Sequence, residues 1–221
     1  MTTRHQVSLI TGVLILAILV PTLLSIWLAQ REAHRQFMDE QATYASRVLI
    51  RSEQVVAQVK KALTQMDAMK VIGCSPAHLQ EMRRLSYAWR YIQEVLYIDG
   101  LTAQCSSLES NGGYFTFPKP DRILPSGYRA WYTEKNDLGI NRFMAAFASD
   151  HHMVIIDPMS LIDVIPFTNS PTQVALISTF TNRVLASSAP LDEHAWLSIR
   201  NGRLETLTEN NIVYTVRHYP E

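Results

Sequence analysis

Cysteine is scarce in this sequence: 221 residues contain only Cys74 and Cys105. Two thiols without two nearby imidazoles or further thiols argue against a structural zinc site. Net charge is also missing, with 20 Lys and Arg set against 20 Asp and Glu. That balance removes the electrostatic case for nucleic-acid binding. No repeat or low-complexity tract is present. Glycine and proline are absent from residues 31–70, which leaves that stretch free to form one long helix.

A second absence is sharper. Residues 7–29, VSLITGVLILAILVPTLLSIWLA, carry no charge at all. A helix of this length spans roughly 30 Å of hydrocarbon. Pro21 is tolerable there as a kink, and Trp27 lies where an interfacial ring belongs. The run exceeds an ordinary signal-peptide core and no small-residue cleavage pattern closes it, so a retained transmembrane helix is expected. Charge orients it weakly. Arg4 and His5 flank one end, Arg31 and Arg35 the other, and the positive-inside rule leaves the direction close to even or reversed. The remaining 191 residues, 31–221, suffice for one domain with its own core.

Within the membrane-proximal helix, Ala45, Val48, Ser52, Val55, Val59, Ala62, Met66 and Met69 recur at steps of three and four. One face is therefore apolar over several turns. It can pack on the domain's own sheet or pair with a second copy of itself. The small and polar members Ala45, Ser52 and Ala62 weaken the coiled-coil alternative, although both modes can coexist on different faces.

From Ser75 the pattern changes. In SPAHLQEMRRLSYAW, Ser75 is an N-cap and Pro76 stands first in a short helix. Leu79, Met82 and Tyr87 supply its apolar face. YIQEVLYID, residues 91–99, reads as a strand, and Asp99-Gly100 as the hairpin turn that sends LTAQCSS back beside it. Cys105 belongs on that return strand. Residues 111–128, NGGYFTFPKPDRILPSGY, read as a loop. Further strands are expected at 129–133, 143–148, 153–156, 174–180, 184–187 and 212–217, with a turn at Thr181-Asn182. The class is α+β: helices first, then a mainly antiparallel sheet.

The cysteines lie 31 positions apart. Bridging them would tie the helical part to the sheet and contribute roughly 3 to 4 kcal/mol by loop entropy. From the residues alone, a disulfide, two unpaired thiols and a purely structural bridge all stay open. A disulfide would require an oxidising compartment.

The segments GCSPAHLQEMRR, AWRYIQEVLYIDG and QCSSLE resemble the CSS-motif sensory domain that precedes EAL domains in bacterial cyclic-di-GMP phosphodiesterases. NDLGINRF and VIIDPMSLIDVIPF resemble it too, and the likeness covers nearly the whole chain. It implies a PAS/Cache-like periplasmic sensor at 73–221, behind a transmembrane helix at 7–29 and a membrane-proximal helix at 31–72. It implies that Cys74 and Cys105 form a disulfide, with Ser106 and Ser107 completing the motif, and that the oxidised form restrains the enzyme. It places the N-terminus in the cytoplasm of a bacterial inner-membrane protein. A second membrane helix and the catalytic domain would follow Glu221. No cofactor is expected in this chain; Mg2+ or Mn2+ would serve the EAL domain. Homodimerisation, periplasmic thiol-disulfide oxidoreductases and proteases are the implied partners, and cyclic-di-GMP only through the cytoplasmic domain.

Glu94-Val95-Leu96 imitates the Glu-x-Leu signature of that catalytic domain. It lies in an expected strand, without the acidic and Asn set that a two-metal clamp requires, and the chain is too short for an eight-stranded barrel. No catalytic residue is expected. Arg83, Arg84 and Arg90 with Tyr87, Tyr91 and Tyr97 could line a pocket for a small anion, or simply edge a solvated helix. His151 and His152 would point to opposite faces of a strand and so share no metal. His78 is expected to be solvated, with a lesser chance of tuning the Cys74 thiolate. Asp157 and Asp163 read as turn or cap residues.

Overall fold

The computed structural model describes residues 2–69, 73–108, 115–135, 142–166, 172–178, 183–191, 196, 197, 199, 206–209 and 212–218. The apolar run and the membrane-proximal helix form one continuous element, α1 (Thr2–Asp67), with Pro21 inside it. At 1.5 Å per residue it is about 100 Å long. From Ile10 to Leu28 its large apolar side chains are exposed, and by length and composition it can cross a membrane.

Beyond residue 43 the same helix is buried on one side only. Tyr44, Val48, Val55, Val59, Ala62, Leu63 and Met66 lie in the core, as the spacing of three and four requires. Ala45 and Ser52 are half-buried and Met69 packs at the margin. Each buried Val, Leu or Met contributes roughly 1.5–3 kcal/mol. Glu53, Gln54, Lys60, Lys61 and Thr64 stand exposed. The stripe is thus occupied by the domain's own core.

The short helix α2 (Pro76–Ala88) starts as expected, with Pro76 at its head and the Ser75 hydroxyl accepting from the His78 amide at 3.3 Å. Leu79, Met82 and Leu85 face inward. Tyr87 does not: it is 95% exposed, because it falls one helical step off the line through Met82 and Leu85.

Six antiparallel strands form the sheet, in the order β2-β1-β6-β5-β4-β3. They are β1 (Ile92–Asp99), β2 (Thr102–Ser106), β3 (Arg122–Ile123), β4 (Arg129–Lys135), β5 (Arg142–Ala148) and β6 (His152–Ile156). β3 falls inside the expected loop. The hairpin loop is Gly100-Leu101, one residue later than Asp99-Gly100, since Asp99 pairs with Thr102. Gly100 sits first in it with φ 61°, a conformation that favours glycine. A 3-10 turn, Pro158–Leu161, is capped by Asp157, whose side chain accepts from the Met159 amide. Two small ribbons follow: β7 (Ala175–Ile177) with β8 (Val184–Ser187), and β9 (Thr206–Glu209) with β10 (Ile212–Thr215). β8 has the expected bounds, β7 and β10 are shorter than expected, β9 was not anticipated, and Thr181-Asn182 lies outside the described residues.

Both faces of the sheet are covered. α1 and α2 pack over Ile92, Val95, Cys105, Ala145, Phe147, Val154 and Ile156. The far face holds Leu96, Ile98, Ala103, Trp131, Ala146, Met153 and Ile155, roofed by Phe115 and Phe117.

Candidate functional site: a disulfide beside a buried histidine pair

Cys74 and Cys105 are joined in a disulfide with Cα atoms 5.9 Å apart. Cys74 is exposed, in the connection between α1 and α2, whereas Cys105 is fully buried. A bulge decides that Cys105 can be reached. Tyr97 pairs with Cys105 but Ile98 pairs with Ala103, which leaves Gln104 as an extra residue. In regular alternation Ala103 and Cys105 would share a face. The bulge puts Ala103 on the far face and Cys105 on the helix-facing one.

Ser106 and Ser107 close the end of this hairpin. Ser107 accepts from the Val95 amide at 3.0 Å and donates its own amide to the Val95 carbonyl at 2.8 Å. The Ser106 hydroxyl donates to the buried Glu94 carboxylate at 2.5 Å and accepts from the Leu108 amide at 2.9 Å. Glu94 is therefore a strand residue held by the motif serine.

Three strands bring one row of side chains together on the helix-facing side. Cys105 of β2 is opposite Tyr97 of β1, which is opposite His152 of β6. His78 of α2 lies over this row, edge-on to Tyr97 with ring centroids 5.5 Å apart. It is 1% exposed, not solvated as the sequence suggested. The helical spacing that buries Met82 and Leu85 also turns residue 78 inward. Its Nε2 meets Nε2 of His152 at 3.1 Å, and its Nδ1 meets the Gly73 carbonyl. His152 Nδ1 meets Asp67 Oδ1 at 2.7 Å. Ser149 donates to the same oxygen at 2.8 Å. Burial holds the His152 imidazole below its ordinary pKa, although Asp67 pulls the other way. His151 is exposed, as alternation required.

The sequence contained traces of this cluster: His78 in phase with the α2 stripe, and His152 in alternation with Val154 and Ile156. Nothing in it joined residue 78 to 152, or 152 to 67.

The residues considered for an anion pocket find different partners. Arg83 Nε donates to the Ser107 carbonyl at 3.2 Å. Arg84 pairs with Glu81 on the surface at 2.6 Å. Tyr97 lies beneath His78. Arg90 and Tyr91 border a cleft of about 500 Å³, with Tyr44, Asp157, Asp163 and Val174. Arg51 reaches Asp163 at 3.6 Å and lies over the Tyr91 ring. Among the described residues no cluster suits a metal ion.

Comparison with known proteins agrees with the motif. The family described as the CSS motif domain associated with EAL matches residues 38–220. The chain is 46% identical over all of its 221 residues to a protein of Escherichia coli K12 named as a probable cyclic di-GMP phosphodiesterase, PdeB. It spans 43% of that relative's length. No solved structure matches it.

Proposed function

We propose that the chain, which belongs to the CSS-motif family, is the signal-input part of a membrane-bound cyclic-di-GMP phosphodiesterase. Its Cys74–Cys105 disulfide would restrain a cytoplasmic EAL domain lying outside this chain. One observation carries the reading. The disulfide fixes the α1–α2 connection to the sheet, and α1 runs unbroken from that connection to the apolar segment. A change at the bond therefore acts on the one helix, among the described residues, long and apolar enough to cross a membrane. The family's association with EAL and the name of the 46% relative support an enzyme at the other end.

The inner membrane, a cytoplasmic N-terminus and a periplasmic domain from residue 31 follow from this reading, because the bond requires an oxidising compartment. The sheet with helices on one face supports a PAS/Cache-like module. Thiol-disulfide oxidoreductases are partners of suitable chemistry for an exposed Cys74, with proteases acting on a loosened, reduced form. Mg2+ or Mn2+ belongs to the EAL domain, and this chain alone hydrolyses nothing. Pairing of two chains would bring two such domains together.

The test is cyclic-di-GMP hydrolysis by the full-length protein. Cys105→Ser should raise it and mimic reduction. Unchanged activity in both the variant and the reduced protein overturns the reading. The cleft beside Arg90 and Tyr91 favours a second reading, a small-molecule sensor with a structural disulfide. A ligand-dependent melting shift indifferent to redox state would select it.

A further inference from the structure

The three ring-nitrogen contacts of His78 and His152 obey a proton count. Gly73 O is an acceptor only, so the proton between it and His78 belongs to Nδ1. The Asp67 carboxylate is likewise an acceptor, which puts a proton on His152 Nδ1. Between the two Nε2 atoms, 3.1 Å apart, a third proton is needed. Two neutral imidazoles hold only two protons. The chain Gly73–His78–His152–Asp67 therefore closes only when the pair carries one extra proton, balanced by the Asp67 charge.

Two helix ends decide where that charge sits. His78 occupies the first turn of α2, where the helix dipole disfavours a cation. His152 lies beside Asp67, the last residue of α1, whose final turn has no basic residue of its own. A cation is favoured at that end. His152 is accordingly the imidazolium and His78 the neutral Nδ1–H tautomer. The other described groups facing the pair are Tyr97 from β1, in edge contact with both rings, His151, stacked on Tyr97, and Ser149 on Asp67.

We propose that this chain is a proton-dependent clamp, which fixes the disulfide loop at Gly73-Cys74 to the end of α1 in acid and releases it when the third proton leaves. Without that proton two lone pairs must face each other at one of the three links. The Asp67 carboxylate, the only charged acceptor of the three, keeps its donor. The break therefore falls between the Nε2 atoms or between His78 Nδ1 and the Gly73 carbonyl. Both alternatives open the link on the side of the disulfide. Burial of His152 sets the closing on the acid side of an ordinary histidine. The clamp stands on geometry; its use as a second input to the disulfide rests on the function proposed above.

The test is a pH titration of the 221-residue chain in lipid nanodiscs, with histidine Cε1 signals followed by NMR. The His78 and His152 signals should move together in one coupled step, with the midpoint on the acid side of an ordinary histidine. Exchange protection of the Gly73 and Cys74 amides, corrected for intrinsic rate, should rise roughly tenfold on acidification, the scale of one buried hydrogen bond. His78→Gln should shift the His152 midpoint and abolish the change in protection. Independent titration of the two rings, or loop protection equal on both sides of the midpoint, overturns the clamp in the wild-type chain without recourse to a variant. Phosphodiesterase activity indifferent to Cys105→Ser would leave these signals untouched, so the two proposals fail separately.

Discussion

The two faces of the central sheet are built from the same strands but do different work. The far face is mainly apolar, with Trp131 fully buried and its indole N–H satisfied by the Pro118 carbonyl at 2.8 Å. Its buried carboxylate, Glu94, is held within the same hairpin by Ser106. The helix-facing side carries the cross-links between distant elements: the disulfide from β2 to the α1–α2 connection, and the histidine pair joining β6, α2 and α1. Packing alone stabilises a fold without giving it a second state. Covalent and titratable links add states, because an electron pair or a proton can make or break them. On the reading proposed above, a stable face backing the cross-linked one would keep the fold intact while a single connection changes.

The largest effect is expected from breaking the apolar face. Trp131→Ala removes a fully buried indole and should cost about 3–5 kcal/mol, read by denaturant unfolding of the detergent-solubilised chain. It should leave the disulfide formed. Loss of the disulfide in the same variant would show that the faces are not separable.

Cys105→Ser attacks the other face and should cost roughly 3 to 4 kcal/mol, the loop-entropy scale for a 31-residue separation. Unfolding midpoints with and without reductant check it. The wild-type protein should drop to the variant's stability on reduction, while the variant does not respond.

Ser106→Ala is smaller, about 1–3 kcal/mol, because it deprives a buried carboxylate of a donor. It should leave thiol titration unchanged, since Ser106 and Cys105 point to opposite faces. A variant with free thiols would contradict that assignment.

The gentlest probe is pH. The pKa of His152 is lowered in the folded state from its ordinary 6.5. As pH falls through 6.5 the unfolded chain takes up the proton first, so stability declines until the lower folded-state pKa is passed. His152→Asn should flatten that slope. A melting temperature that rises on acidification through the same window would reverse the sign and contradict the burial of His152.

Much of this was readable in one dimension. The uncharged run, the stripe from Val48 to Met66, the Ser75-Pro76 helix start and the hairpin carrying Cys105 are all local patterns. The cluster considered for an anion was brought together only in part: Arg90 and Tyr91 share a cleft, while Arg83 and Arg84 turn to Ser107 and Glu81, because closeness along the chain does not decide which way each side chain turns.

The sequence by itself determined the periodicities: a helix apolar all round and then on one side, strands, caps, and two cysteines in a recognisable motif. These follow from backbone geometry, which every residue shares with its neighbours. Only the tertiary structure decided which partners meet. The bulge at Gln104 turns Cys105 toward Cys74. The register of β1 and β6 places His152 beneath His78, 74 positions away, and brings it to Asp67, 85 positions away. A long-range contact depends on register and packing summed over the whole sheet, and no local window of residues contains that sum.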